Sequence, residues 1–204
     1  MQTIAIIGVG RMGGLIADKI SPFYDLILID KDARRCGLLA KQLEATATTE
    51  YSLLSQADCI ILALPAAIIP EAIKEISPFL QREQLLINIS TDTEMSVFKP
   101  VKGLCKLASA KIIGHALQMA GGELPMIIVD AEDEHDRRRT AEIFGKIGTV
   151  GFGKEKVVME INHIASEEGI KAAYNIKKRL KELNIPDEYL SFAIRNVACG
   201  TMNA

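Results

Sequence analysis

Thr3-Ile4-Ala5-Ile6-Ile7-Gly8-Val9-Gly10-Arg11-Met12-Gly13-Gly14-Leu15-Ile16-Ala17-Asp18-Lys19-Ile20, followed after a short break by Leu26-Ile27-Leu28-Ile29-Asp30, decides the fold. The first five residues are a β-branched apolar run of strand length. Glycines at positions 8, 10 and 13 follow at once, and apolar residues then recur at helical spacing. The second apolar run ends on an acid. Strand, glycine turn, helix, strand and terminal carboxylate are the parts of a dinucleotide-binding βαβ unit.

Each glycine has a separate physical reason. Gly8 turns the chain off the strand where a side chain would strain it. Gly10 leaves room for a pyrophosphate to approach the backbone, and Gly13 lets the helix pack closely on the strand. Amide groups opening a helix lack intrahelical partners and carry the positive end of its dipole, so they favour an anion. The expected cofactor-binding residues of this turn are Gly8, Val9, Gly10, Arg11, Met12 and Gly13. Asp30 lies about 20 residues beyond, where a carboxylate accepts ribose hydroxyls.

The chain has 204 residues, 49% of them apolar, which suffices for one substantial domain and a small appendage. A net charge of −2 gives no electrostatic basis for binding nucleic acid or an anionic membrane. Aromatic content of 5% without tryptophan also argues against base-stacking surfaces. Cys36, Cys59, Cys105 and Cys199 are scattered, and the Cys59 environment is apolar, as for reduced thiols in a cytoplasmic protein. The first strand starts almost at Met1, so no signal peptide is expected, and no apolar run is long enough to span a membrane.

Further along, residues 31–44 read as a second helix with Leu38, Leu39 and Leu43 on its apolar face. Lys31, Arg34 and Arg35 bear on cofactor choice. Asp30 repels the extra phosphate of NADP and points to NAD, whereas a nearby arginine binds that phosphate; both arginines also suit a plain solvated helix face. NAD or NADP is expected, with NAD preferred on the acid. Residues 50–55 read as a short helix, 59–64 as a doubly buried strand ended by Pro65, 66–80 as a helix and 85–89 as a strand. Ala63, Leu64 and Pro65, and then Ser90 or Thr91, fall at the carboxyl edge of the sheet, where open α/β folds bind ligands. Ser90-Thr91-Asp92-Thr93 alternatively supplies an N-cap for a segment starting at Glu94.

Residues 111–115 form a strand ending in His115, 116–123 a flexible loop, 125–129 a strand, 134–146 an amphipathic helix and 149–153 an edge strand or turn. From Lys156 the pattern is helical only. Residues 157–183 carry Val158, Ile161, Ile164, Ile170, Ile176 and Leu183 at helical spacing, with Gly169 as a potential bend; Pro186 opens a last helix through Cys199. The fold class is therefore α/β: a Rossmann-type, doubly wound, mostly parallel sheet over residues 1–153, followed by a short helical region, 154–204. That helical region cannot enclose a core, so a homodimer through its helices is expected.

The Gly8–Gly13 turn, with methionine before the third glycine, resembles the fingerprint shared by pyrroline-5-carboxylate reductases, β-hydroxyacid dehydrogenases and F420-dependent NADP oxidoreductases. The likeness runs through residues 1–90, including the Cys59–Pro65 strand, and returns at Phe144-Gly145-Lys146-Ile147-Gly148-Thr149-Val150. It implies a nicotinamide-dependent oxidoreductase of a small carbonyl, imine or hydroxy acid, with a Rossmann domain and a dimerising helical domain. In the β-hydroxyacid dehydrogenases the long helix carries a catalytic lysine followed three and four residues later by two asparagines. The matching register here is Met159, Asn162 and His163, so the lysine is absent. Gly114-His115-Ala116-Leu117-Gln118 is closer to the histidine-bearing segment of prephenate dehydrogenases.

Hydride transfer needs a proton donor or hydrogen-bond donor beside the reacting carbon's heteroatom. His115, Asn162 and His163 are the candidate catalytic residues, histidine because its ordinary pKa of about 6.5 lets it donate or accept near neutrality. His115 equally suits a strand-end cap, and His163 a surface position. His135 lies in a solvated charge run, and no metal site is expected. A non-catalytic dinucleotide-binding sensor or regulatory protein is the alternative function.

Overall fold

The computed structural model describes residues 2–202. It divides into two compact units, 1–159 and 160–204. The first unit holds one eight-stranded sheet in the order β3-β2-β1-β4-β5-β6-β7-β8. The strands are β1 (Thr3–Ile7), β2 (Asp25–Ile29), β3 (Thr46–Thr48), β4 (Cys59–Leu62), β5 (Leu85–Asn88), β6 (Lys106–Ile113), β7 (Met126–Ala131) and β8 (Thr149–Phe152). All neighbours pair in parallel except β6 and β7.

Strand β1 lies inside the sheet, between β2 and β4, and both of its faces are apolar. Ile4 and Ile6 point into one core, and Ala5 and Ile7 into the other. Cys59 and Ile61 of β4 join the first, Ile60 and Leu62 the second. Such unbroken apolar strands belong in a parallel sheet covered on both sides. Burial pushes the Cys59 thiol up to about 11, as for a cysteine that serves only as core. The sheet direction of travel reverses between β1 and β4, which opens a crevice at the carboxyl ends of those strands.

Helix α1 (Arg11–Ile20) covers one face through Ile16, Ala17 and Ile20. Helix α2 (Ala33–Leu43) starts two residues later than expected, capped by Asp32, whose side chain accepts from the Arg35 amide. Its apolar face differs from the expectation: Cys36 and Ala40 are buried, while Leu38 is 65% exposed. The small residues set α2 close to the sheet, and the leucines flank it. The expected helix at 66–80 is shortened to α3 (Ile69–Ile76), with a 3-10 turn at Ser77–Phe79 beginning where Pro78 cannot continue the ladder.

Three further readings need correction. Strand β3 is short and polar and was not expected. Strand β6 begins at Lys106, five residues before the expected Lys111, because Ser109 and Lys111 interrupt its apolar pattern yet are both fully buried. Residues 116–123 are a loop only at their end: Ala116–Ala120 form a helical turn, α4, held by bonds such as Met119 N to His115 O at 3.0 Å. Helix α5 (Glu134–Phe144) buries Ile143 and Phe144 as expected.

Helix α6 (Glu155–Glu182) runs without interruption past Gly169. The second unit takes in most of its length and continues through α7 (Asp187–Phe192), a π-helical turn at Ala193–Ala198 and a last turn at Cys199–Met202. Among the described residues no helix is long and apolar enough to cross a membrane.

The glycine turn is the tightest part of the sheet edge. Gly8 has φ +92°, a region open to glycine, and its amide donates to Ile29 O at 2.8 Å. A Cβ on Gly13 would lie 1.9 Å from the Gly8 carbonyl oxygen, whereas one on Gly10 would meet nothing within 4 Å. Gly13→Ala therefore forces α1 off β1 and should lower stability by about 3 kcal/mol or more in denaturant titration. Gly10→Ala should leave stability within about 1 kcal/mol of the unchanged chain.

Candidate functional site

The crevice at the switch point is a cleft of about 360 Å³ lined by Gly10, Arg11, Met12, Ala63, Leu64, Pro65, Ile89, Ser90, Thr91, Ile112 and Gly114. The carboxyl ends of β1, β4, β5 and β6 thus converge on one space. Eight residues expected from sequence line it: Gly10, Arg11, Met12, Ala63, Leu64, Pro65, Ser90 and Thr91. Gly8, Val9 and Gly13 are buried behind it and shape the turn.

The donor set fits a diphosphate. No side chain caps the start of α1, and its first turn carries no acid. Gly10, Arg11 and Met12 at this helix start line the cleft, and the opening amides of a helix carry the positive end of its dipole.

Asp30 is 8% exposed and already engaged. It accepts from the Val9 amide at 2.8 Å, the Asp32 amide at 2.9 Å and Arg35 Nη2 at 3.1 Å to each carboxylate oxygen. Burial alone would raise its pKa, but the amides of Asp32 and Val9 together with the Arg35 guanidinium outweigh it, and the carboxyl is held below its ordinary value. The acid therefore pins the glycine turn to the end of β2. Its charge is neutralised by Arg35, which removes the premise on which NAD was preferred over NADP. The signal for this pair was in the sequence: an acid ending a strand and an arginine in the first turn of the next helix. Lys31 and Arg34 are exposed beside it. A shallow groove of about 430 Å³ there is lined by Asp32, Arg34, Arg35, Leu38, Leu39 and Gln42.

The polar segment after β5 does not act as a helix cap. Glu94 precedes the 3-10 turn at Met95–Val101, and no side-chain bond caps it. Instead the segment folds on itself: Asn88 Oδ1 accepts from the Ser90 amide at 3.0 Å, Asn88 Nδ2 donates to Thr93 O at 2.8 Å, and the Ser90 and Thr93 hydroxyls lie 3.1 Å apart. Beneath it sits a residue that sequence reasoning did not single out. Lys111 is wholly buried; its Nζ donates to Ser90 O and, at 2.7 Å, to Thr93 O, and lies 3.4 Å from Glu155 Oε2. Burial draws its pKa below the ordinary lysine value, against the pull of Glu155. Glu155 Oε1 accepts from the Met95 amide at 2.6 Å.

His115 is exposed, directly after the cleft residue Gly114, and occupies the N-cap position of α4 without a side-chain capping bond. Asn162 and His163 lie on α6 in the second unit; His163 is 80% exposed and 3.7 Å from Glu167. A larger hollow, about 540 Å³, lies by the start of β6 and the end of β7. Of its four lysines, Lys102, Lys106 and Lys154 are paired with Glu132, Glu83 and Asp130, while Lys99 also lines it.

Comparison with known proteins bears on this edge. Residues 3–92 match the family described as NADP oxidoreductase coenzyme F420-dependent, so the resemblance read from the sequence holds over the glycine turn, Asp30 and β4–β5. The chain is 28% identical over 122 residues to a prephenate dehydrogenase of Lactococcus lactis subsp. cremoris (strain MG1363), covering 56% of this chain and 33% of that protein. The chain thus spans about a third of the length of that curated relative. Among solved structures, Plasmodium falciparum pyrroline carboxylate reductase with NADP bound superimposes with TM-score 0.70 at 15% identity, covering 99% of this chain and 78% of that one. An imine reductase variant from Myxococcus stipitatus in complex with NAD+ gives 0.72 at 13%, covering 100% and 74%. At such identities these structures establish the shared fold.

Asp30→Asn leaves the Val9 and Asp32 amides and Arg35 with a weaker acceptor, and should cost about 2 kcal/mol at pH 7. Because the folded-state pKa is depressed, this contribution is complete above the ordinary value of about 3.9 and is lost as pH falls through the folded value. Urea titrations of the two proteins should therefore differ at pH 7 and begin to converge only as pH falls below about 4.

Proposed function

We propose that the protein is an NAD(P)-dependent oxidoreductase that transfers a hydride between the nicotinamide and a small carbonyl, imine or hydroxy-acid substrate. The observation that carries this reading is the uncapped start of α1, open at Gly10, on a cleft at the sheet's switch point. The family match over residues 3–92 and neighbours solved with NADP and NAD+ support it. When bound, the nicotinamide supplies or accepts the hydride.

The amides opening α1 would hold the pyrophosphate. Lys31 and Arg34, exposed beside the Asp30–Arg35 ion pair, give the ribose end a positive rim, which favours NADP over NAD. Ala63, Leu64, Pro65, Ser90 and Thr91 would bound the nicotinamide end. His115, exposed and next in sequence to Gly114 of the cleft, would hold or deliver the proton. Asn162 and His163 are proposed as substrate-side residues on the resemblance alone.

The reading extends to a cytoplasmic homodimer formed through the second unit. In that unit Ile164, Ile170, Tyr174, Leu183, Phe192 and Val197 are each more than 60% exposed, an apolar surface that water disfavours. All four cysteines are free, as in a reducing compartment. A second reading, a dinucleotide sensor without turnover, is favoured by Met159 standing where the resemblance asks for a lysine.

The test is oxidation of NADPH and NADH against a panel of ketones and imines. Turnover with at least one substrate is expected, faster with NADPH, and His115→Ala should slow it by about 100-fold or more at nearly unchanged coenzyme affinity. Gly10→Ala should weaken coenzyme binding by about tenfold or more while the chain stays folded. Binding without turnover on any substrate would select the sensor reading. Sedimentation equilibrium should give twice the monomer mass at micromolar concentration; a monomer would refute the dimer.

A further inference from the structure

We propose that Lys111 is a positioning residue for the nicotinamide end of the cleft: its buried ammonium clamps the Ser90–Thr93 turn from behind and ties that turn to Glu155 at the start of α6. The inference rests on the reading of the cleft as a dinucleotide site.

Core filling does not account for this lysine. A buried ammonium carries a desolvation penalty, and a methionine would occupy a similar volume without it. What the ammonium does that methionine cannot is gather three oxygens: the carbonyls of Ser90 and Thr93 and the Glu155 carboxylate. The two carbonyls belong to the two ends of one tight turn, so the cation closes it. Asn88 repeats the closure from the same side, donating to Thr93 O and accepting from the Ser90 amide. With its carbonyls drawn inward, the turn holds Ser90 and Thr91 on the wall of the cleft. Lys111 is next in the strand to Ile112, which lines that cleft, but alternation sends its own side chain to the opposite face of the sheet. It therefore acts through the turn. Glu155 fixes the ammonium and, through the Met95 amide, the segment that follows the turn. A wall built this way is set before ligand arrives, which is how supporting residues raise affinity without touching the ligand.

The experiment compares two ligands that differ only in the nicotinamide: NADPH and 2′-phospho-ADP-ribose, titrated calorimetrically into the full chain. Lys111→Met should weaken NADPH about tenfold and leave 2′-phospho-ADP-ribose within about twofold, since only one end of the cleft loses its support. Lys111→Met combined with Glu155→Gln leaves no lone buried carboxylate and should give the same split if the single variant does not fold. Equal weakening of both ligands, no weakening of either, or failure of both variants to fold would overturn the proposal and leave Lys111 a residue of stability alone. An unchanged chain that binds neither ligand would instead sink the dinucleotide reading itself, and this inference with it.

Discussion

The closeness of α1 to the end of β1 is the constraint from which the site follows. Gly13 lies so near the Gly8 carbonyl that a single methyl group would collide with it at 1.9 Å. That approach brings the unpaired amides of the helix to the sheet edge, between the ends of β1 and β4. Gly8 makes the sharp turn with a backbone angle that other residues resist, and Asp30 locks the same turn from β2 through the Val9 amide. Two of the three glycines are thus required by packing. The third, Gly10, meets no packing constraint and lies on the wall of the cleft.

Charge at this edge is arranged in two different ways. At the β2 end, Asp30 is paired with Arg35 and held by two amides, so Lys31 and Arg34 are the exposed cations there. At the β5–β6 end the charges are hidden: Lys111 and Glu155 sit below the surface and present only the backbone they organise. The first arrangement suits direct recognition of a phosphate, the second the shaping of an uncharged pocket wall.

How much of this was legible in the sequence depends on the range of the forces involved. The βαβ unit is written locally, in a strand run, a glycine spacing and a terminal acid, and it stands as read. The doubly buried strand at Cys59 was equally plain, since four apolar residues in a row leave few alternatives. Strand β6 was half hidden because Ser109 and Lys111 break its apolar run, and their burial depends on partners distant in the chain. Helix α4 was missed because Gly121 and Gly122 suggested a loop, whereas the turn closes through its own backbone bonds. The leucine stripe of α2 was read in part: Leu39 and Leu43 pack against the core and Leu38 does not, while the small residues Cys36 and Ala40 are the buried ones. The ion pair of Asp30 with Arg35 needed only attention to a five-residue spacing, but the Lys111 clamp needed the fold.

The central claim is that a dinucleotide lies on the edge formed by the ends of β1, β4, β5 and β6. It is tested most directly by titrating NADPH into isotope-labelled protein and following backbone amide resonances by nuclear magnetic resonance. The account predicts saturable shifts concentrated at residues 8–13, 63–65, 90–91 and 112–114, with the lysine-rimmed hollow at the start of β6 unaffected. Resonances that do not move, or that move in that hollow instead, would contradict it.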